Sequence, residues 1–532
     1  MAQLFPASAS PLRPPDRQDA VRTAARIAVS ALAVGGVATS DREMWEWYAR
    51  RLREDVAEVR RIPLGELTGW GSVPETGDIV HDSGRFFSVE GLSAEDVDGV
   101  VPGWDQPVIR QPEIGILGLL AREFGGVLHF LMQAKNEPGN PNGVQLSPTV
   151  QATRSNYTRV HQGGAVPYVE YFQDTAGRRV LADSLQSEQG SWFARKRNRN
   201  IVVEVTEEVE VREGFRWLTL GQIHRLLAED NAINMDSRSV LACLPFGGAD
   251  PAEMPAVPLT TAPSADDTAD ADAADTDTDT DGTNVRRGGG GGLAAALLRS
   301  CADAAGALHT TGEILSWLAG LRSCTGLAVR RVPLDALRGW KRTDDAVVHE
   351  EGRYFRVIGV DIRTAGREVR RWTQPLIEPV AEGVVAFLVT EIGGVVHVLV
   401  NARTQPGLVD KVELGPTVQC VPSNYPPGAR PSHLRFLDEV LGASADRIRF
   451  DTRLSEEGGR FHHAVNRYVI VDWRGGHEIE DEAFRWVAFH QLAGLLRHGH
   501  YMNIEARSLI ACLHALTGGS GANGKGEEVP GE

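Results

Sequence analysis

Residues 115–135 read GILGLLAREFGGVLHFLMQAK, two apolar runs joined through Glu-Phe-Gly-Gly. Such a pair around two glycines is a hairpin signal, and alternation separates the faces of its second strand. Leu128, Phe130, Met132 and Ala134 fall on one side, His129, Gln133 and Lys135 on the other. At a shift of 268 residues, GVVAFLVTEIGGVVHVLVNAR (383–403) writes the same design, with Val396, Val398, Val400 and Ala402 on one side and His397, Asn401 and Arg403 on the other. The polar side of each must meet water, a ligand or the other copy.

Shifts of 268–270 residues organise the whole chain. VRRIPLGELTGW (59–70) returns as VRRVPLDALRGW (329–340), and IVHDSGRFF (79–87) as VVHEEGRYF (347–355). SEQGSWFARKRNR (187–199) returns as SEEGGRFHHAVNR (455–467), and Phe-Arg-Trp at 215 recurs at 484. Between 139–157 and 407–425 there are ten identities in 19 ungapped positions, where composition alone gives about one. Each copy runs helix, strands, helix, so the expected class is α+β with mostly antiparallel or mixed sheets and flanking helices. The expected units are an N-terminal disordered extension (1–40), a first module (41–246), an acidic linker (247–292), a second module (293–516) and a disordered tail (517–532).

Of 532 residues, 42% are hydrophobic and 24% charged, which fits a soluble globular chain of more than one core. The net charge of -16 is partly local, since residues 250–281 hold ten acidic residues. This region has almost no large apolar residue and cannot offset the entropy of ordering it. The acidic balance argues against nonspecific nucleic-acid binding. Five cysteines without a C-x-x-C pair fit a reducing compartment, so the expected location is the cytoplasm. The run AARIAVSALAVGGVA (24–38) imitates a signal peptide, but a similar Ala-rich run precedes the second copy in mid-chain. No apolar run reaches the ~18 residues of a membrane span.

No dinucleotide fingerprint, Walker A loop, G-x-S-x-G or H-E-x-x-H occurs, so side chains alone are expected to carry any chemistry. The doubled Ser-Asn-Tyr of PTVQATRSNY (148–157) and PTVQCVPSNY (416–425) supplies two hydroxyls and an amide, suited to a sugar or diphosphate. It is equally a turn in which Ser and Asn cap the backbone. Trp70 and Trp340 could stack on a base or fill a core. His129 and His397 could carry protons or hold structure, and Glu188 and Glu456, in Ser-Glu-x-Gly, could be acid–base groups or turn residues. Asn466 and Arg467, matched by Asn198 and Arg199, offer an amide and a phosphate-capable fork. Arg238 and Arg507 read as structural.

These motifs, in order and in both halves, resemble the NDP-hexose 2,3-dehydratase family over about residues 41–246 and 308–516. The resemblance implies two tandem Nudix-like modules, a homodimer, no cofactor or metal, a dTDP-4-keto-6-deoxyhexose substrate and a downstream 3-ketoreductase. The Nudix catalytic box is absent, so fold likeness does not imply pyrophosphohydrolase activity. The implied chemistry begins at C3, whose hydrogen the C4 ketone makes acidic. A base removes it, donors hold the enolate, an acid helps the C2 hydroxyl leave, and the enol tautomerises to a 3,4-diketo-2,6-dideoxy sugar. That sequence is redox-neutral.

By resemblance, substrate contacts fall at Trp70, Thr153, Arg154, Ser155, Asn156, Tyr157 and Ser187 in the first module. In the second they fall at Trp340, Arg403, Gln419, Ser423, Asn424 and Tyr425. Tyr157 and Tyr425 lead the proton-transfer candidates, followed by His129, His397, Glu188 and Glu456. One module is expected to work and the other to persist as a nucleotide-binding remnant. A non-catalytic nucleotide-sugar binder, a diverged Nudix hydrolase and an epimerase are the rival readings.

Overall fold

A computed structural model describes residues 17–96, 103–157, 165–246, 291–302, 306–364, 370–425 and 434–518. The expected linker lies outside the described residues, except that its last two positions open the helix Gly291–Ala302. Most of the expected C-terminal tail also lies outside them. The α+β class holds, with helices, antiparallel and mixed sheets, and two similar halves.

The N-terminal extension departs from expectation. Arg17–Leu32 is a helix, and its Ala24, Ile27, Ala28 and Ala31 are buried. That i, i+3, i+4, i+7 spacing is the apolar stripe of a packed helix, so the run that imitates a signal peptide is core-facing. Ser30 ties this helix to the hairpin, donating to the Leu128 carbonyl at 2.6 Å. The next helix of each half starts at a capping box: Ser40 with Glu43 opens Asp41–Glu54, and Thr310 with Glu313 opens Thr311–Cys324.

The hairpins form as read. Gly125 and Gly126 have φ of 56° and 83°, Gly393 and Gly394 of 59° and 81°, the two-residue turn that matches strand twist. Each hairpin is the centre of a seven-stranded sheet, and a parallel strand joins each: Arg197–Glu204 beside Gly115–Phe124, Val465–Asp472 beside Gly383–Ile392. Leu128, Phe130, Met132, Val396, Val398 and Val400 enter one core shared by both halves, as the alternation predicts. The closing helices Met235–Ala242 and Ile504–Leu516 pack on each other in that core and are buried at every residue.

The halves also exchange strands. Ala57–Ile62, early in the first half, pairs with Phe355–Thr364 of the second, and Leu327–Val332 pairs with Ser88–Asp96 of the first. Glycine allows the approach: a Cβ on Gly91 would lie 2.5 Å from the Val332 carbonyl, and one on Gly359 2.8 Å from that of Ile62. The exchange covers sheet edges that would otherwise be open. It makes the two copies one interlocked body, and each copy's site includes residues of the other.

Candidate functional site

Each Ser-Glu pair ends a strand beside the sheet's parallel joint. Asn198 accepts from the Gly115 amide at 3.0 Å and donates to Glu188 Oε1 at 2.6 Å. Asn466 does the same for Gly383 and Glu456, at 3.0 and 2.6 Å. A side chain on Gly115 or Gly383 would strike those amide oxygens at 2.6 or 2.2 Å, so glycine is needed at the joint. The turn after each Glu then reaches into the other copy. Gly139 donates to the Gly458 carbonyl at 2.8 Å, and Gly407 to that of Gly190 at 2.8 Å.

Two arginines, fully buried, lock this crossing. Arg238 donates to the Ser455 carbonyl at 2.7 Å, just before Glu456, and Arg507 to the Ser187 carbonyl at 2.6 Å, just before Glu188. Each also reaches a serine on the opposing helix, Ser508 at 3.2 Å and Ser239 at 3.0 Å. Their structural reading from sequence agrees with these contacts, but the contacts span the two copies.

The equivalent glutamates sit in different surroundings. Glu456 is saturated: Asn466 and Tyr468 donate to Oε1 at 2.6 and 2.8 Å, and Gln189 of the first module to Oε2 at 2.9 Å. Around Glu188 the counterpart of Tyr468 is Asn200, which bonds elsewhere, and the counterpart of Gln189 is Glu457. Glu188 Oε2 is buried without a hydrogen-bond partner. Burial, and then the Glu457 charge, push its carboxyl up to about 8.

The first-module cluster continues around it. Lys135 pairs with Glu137 at 3.1 Å, Gln151 donates to Glu137 at 3.3 Å, and Asn234 to Gln151 at 2.9 Å. Asn234 caps the helix bearing Asp236, whose carboxyl burial and the neighbouring glutamates push well up, and whose Oδ1 is buried and unpartnered. Lys196 is buried and donates to the Glu113 carbonyl; desolvation lowers its ammonium to about 8, so it keeps its charge at neutral pH. In the second module these positions become Arg403, Gln405, Gln419, Asn503, Glu505 and Ala464. Glu505, pushed up to about 7 by burial, Gln405 and Arg403 each keep a buried unpartnered atom there. Both copies keep buried polar atoms without partners here, but only the first carries two lysines beside several carboxyls.

The Ser-Asn-Tyr turn of the first module joins this cluster. Ser155 is buried, its hydroxyl and amide donate to Glu113 Oε2 at 2.8 and 3.2 Å, and Thr153 Oγ1 lies 2.9 Å from Ser155 Oγ. Glu113 thus links the turn to Lys196. Ala381 replaces Glu113 in the second copy, where Ser423 is exposed and Asn424 instead accepts from the Tyr354 amide at 3.2 Å. Arg154 is exposed; Asn156 lies in the same short helix, Arg154–Tyr157. Tyr157 and Tyr425 each pack half-buried on an apolar cluster, and burial raises both phenols; the Arg403 charge opposes this for Tyr425. Ser187 donates to Glu413 at 2.6 Å, and Gln419 accepts from Asn503 at 2.9 Å.

Other expected residues are engaged elsewhere. His129 and His397 are fully buried, and each Nε2 accepts a backbone amide, from Val37 and Leu308, at 3.0 Å. Each Nδ1 lies 2.9 Å from a carbonyl of its own strand, so these rings clasp a segment rather than face a cavity. Desolvation lowers both imidazoles, which keeps them neutral. The Arg467 fork is occupied by Asp451 at 2.8 and 2.6 Å, just as Arg199 holds Asp183. Trp70 and Trp340 pin the exchange, donating to the Thr373 and Asp105 carbonyls of the opposite half at 2.9 and 2.7 Å. A shallow cleft beside Trp340, lined by Asp335, Lys341 and Arg342, shares no residue with the carboxyl cluster. Among the described residues no group of His, Cys, Asp and Glu is arranged to hold a metal ion.

Comparison with known proteins agrees with this doubled geometry. A family model described as NDP-hexose 2,3-dehydratase matches residues 41–244 and again 311–513. The chain belongs to the NDP-hexose 2,3-dehydratase family. Three relatives of this dehydratase-family chain carry the name dTDP-4-dehydro-6-deoxy-alpha-D-glucopyranose 2,3-dehydratase. The one from Amycolatopsis orientalis is 45% identical over 97% of this chain and 98% of its own. Those from Saccharopolyspora spinosa (45%) and Streptomyces violaceoruber (46%) each match 88% of this chain, covering 90% and 96% of theirs.

Sequence reasoning passed over Glu137, Lys196, Asp236 and Glu457. All four stand where the dehydratase repeats differ: Glu137 faces Gln405, Lys196 Ala464, Asp236 Glu505 and Glu457 Gln189. In a duplicated chain, positions that differ inside a shared motif were the available signal.

Proposed function

We propose that the chain removes the C3 hydrogen and C2 hydroxyl of dTDP-4-keto-6-deoxyglucose, giving the 3,4-diketo-2,6-dideoxy sugar, and that the first-module cluster does this work. The observation that carries the proposal is the contrast between Glu188, buried with a free oxygen beside a like charge, and Glu456, held by three donors. A carboxyl that keeps its proton at neutral pH is suited to protonate a leaving hydroxyl. Lys196 supplies positive charge for the C4 enolate, which a water-poor site makes more effective. The Ser155 turn, fixed through Glu113, positions the nucleotide sugar. The second copy's cluster, with Arg403, Gln419 and Tyr425, retains nucleotide binding.

The finer expectations belong to the same proposal: a Nudix-like module fold, a homodimer, a cytoplasmic location and a 3-ketoreductase that consumes the reactive diketone. The test is incubation with dTDP-4-keto-6-deoxyglucose in D2O, with reductive trapping and mass spectrometry. The expected product has lost one water and carries deuterium at C2. Intact, unlabelled substrate points to a binding protein, and deuterium without water loss to an epimerase; either overturns the proposal.

A further inference from the structure

The first-module site is not built by the first module alone. The turn Glu456-Glu457-Gly458-Gly459-Arg460 enters from the second copy and docks on Gly139. The seat is tight. A Cβ on Gly139 would lie 1.7 Å from the Phe461 carbonyl, and one on Gly458 2.0 Å from Asn140 Oδ1. The docking brings Glu457 to the carboxyls of the first copy: the point where a Cβ on Gly459 would sit is 3.1 Å from Glu457 Oε1 and 3.4 Å from Glu137 Oε1. Glu188 is 3% exposed, whereas Glu457 is half-buried.

Resting on the function proposed above, we infer that Glu457 is the base that takes the C3 hydrogen, and that it works opposite Glu188 as the acid. The Glu457 carboxylate accepts the C3 proton, and the bonding pair becomes the C4 enolate. That pair then moves to form the C2–C3 double bond as the C2–O bond breaks, and Glu188 gives its proton to the oxygen that leaves as water. Tautomerisation resets the pair: Glu457 returns a proton to C2 while the 3-hydroxyl gives one to Glu188. No electron acceptor is needed, and the charge of the pair is the same before and after a turnover.

The division of labour follows from the surroundings. Glu188 has an asparagine donor and a buried free oxygen, in a place where its charge is costly. Burial, and the Glu137 charge beside it, make Glu457 more basic than an exposed glutamate, while the charges of Arg460, Lys196 and Lys135 favour its ionised form. Arg460 is itself held, bonding Gln111 at 3.3 Å and lying 4.4 Å over the Phe87 ring. At the equivalent position the other copy has Gln189, which cannot accept a proton from carbon and instead donates to Glu456. One side-chain difference thus separates a proton-accepting turn from a structural one.

Deuterium exchange at C3 distinguishes the base from the acid. Full-length E457Q and E188Q are incubated with dTDP-4-keto-6-deoxyglucose in D2O, and deuterium at C3 and water loss are scored separately. Gln fits the turn, because the other copy uses it there. E457Q is expected to lose C3 exchange and dehydration together, by about a hundredfold or more. E188Q is expected to lose dehydration but to return substrate labelled at C3, because its base still forms the enolate. Wild-type C3 exchange in E457Q overturns the inference and leaves the dehydratase reading standing. Normal dehydration by E188Q overturns the underlying site assignment itself.

Discussion

Glu188 and Glu456 occupy the same place in two copies of one motif, yet they meet different chemistry. Around Glu456, Asn466, Tyr468 and Gln189 offer three donors, and a carboxylate with its acceptors filled is a structural anchor. Around Glu188 one donor remains, a like charge replaces another, and Lys196 stands where the other copy has alanine. Duplication copied the backbone device, and a few neighbours separated the fates of the copies. Because the turns cross over, those neighbours lie partly in the opposite half.

Lys196→Met sharpens the comparison most. If the first copy is the working one, kcat falls about a hundredfold or more, in keeping with loss of a charge aimed at a developing enolate. A fall of only a few fold, with the melt unchanged, breaks the assignment. Next come the paired locks. Arg507→Met strips donors from the Ser187 and Met502 carbonyls, and Arg238→Met from those of Ser455 and Ile233. Each buried group left unsatisfied costs about 1–3 kcal/mol, so each variant is expected to lose several kcal/mol in urea unfolding. The two losses should match, since the locks are equivalent; unequal losses would show that the halves are not held alike.

Protonation gives a further handle. The Glu188 carboxyl rises from 4.5 to about 8 on folding, under burial and the Glu457 charge, opposed by Arg507, Lys196 and Asn198. Between those values the folded state binds more protons than the unfolded one, so this residue's contribution falls as pH rises through the window. E188Q should therefore melt higher than wild type at pH 8 and show little difference at pH 4.5. A constant offset would contradict the burial account. The smallest effect belongs to His129→Phe, which removes the acceptor for the Val37 amide: about 1 kcal/mol of stability is lost, with kcat of the folded enzyme within a few fold. A loss of turnover as large as that of E188Q would restore the histidine to the proton-transfer chemistry.

Much of this was legible in the sequence because it is local. The alternation of Leu128, Phe130 and Met132 and the paired glycines at 125 and 126 gave strand faces and turn directly. The strand exchange was not legible. Val-Arg-Arg at 59 and at 329 presents nearly the same side chains, so either strand satisfies either sheet and sequence cannot choose. The polar side of the hairpin misled for a related reason: His129 met a backbone amide from the N-terminal segment rather than a ligand, a partner 92 positions away. Arg467 looked free for phosphate because Asp451, on the adjoining strand, is brought beside it only by sheet pairing. Lys196 sits inside Ala-Arg-Lys-Arg-Asn-Arg, where residue type alone does not separate the buried lysine from its more exposed basic neighbours.

The most direct measurement is single-turnover dehydration by E188Q beside E456Q, each scored per folded molecule by mass spectrometry of the trapped product. The account predicts that E188Q forms essentially no dehydrated sugar, while E456Q loses about 1–3 kcal/mol of stability and still turns over. Dehydration by E188Q together with an inactive, well-folded E456Q would place the chemistry in the second module and contradict it.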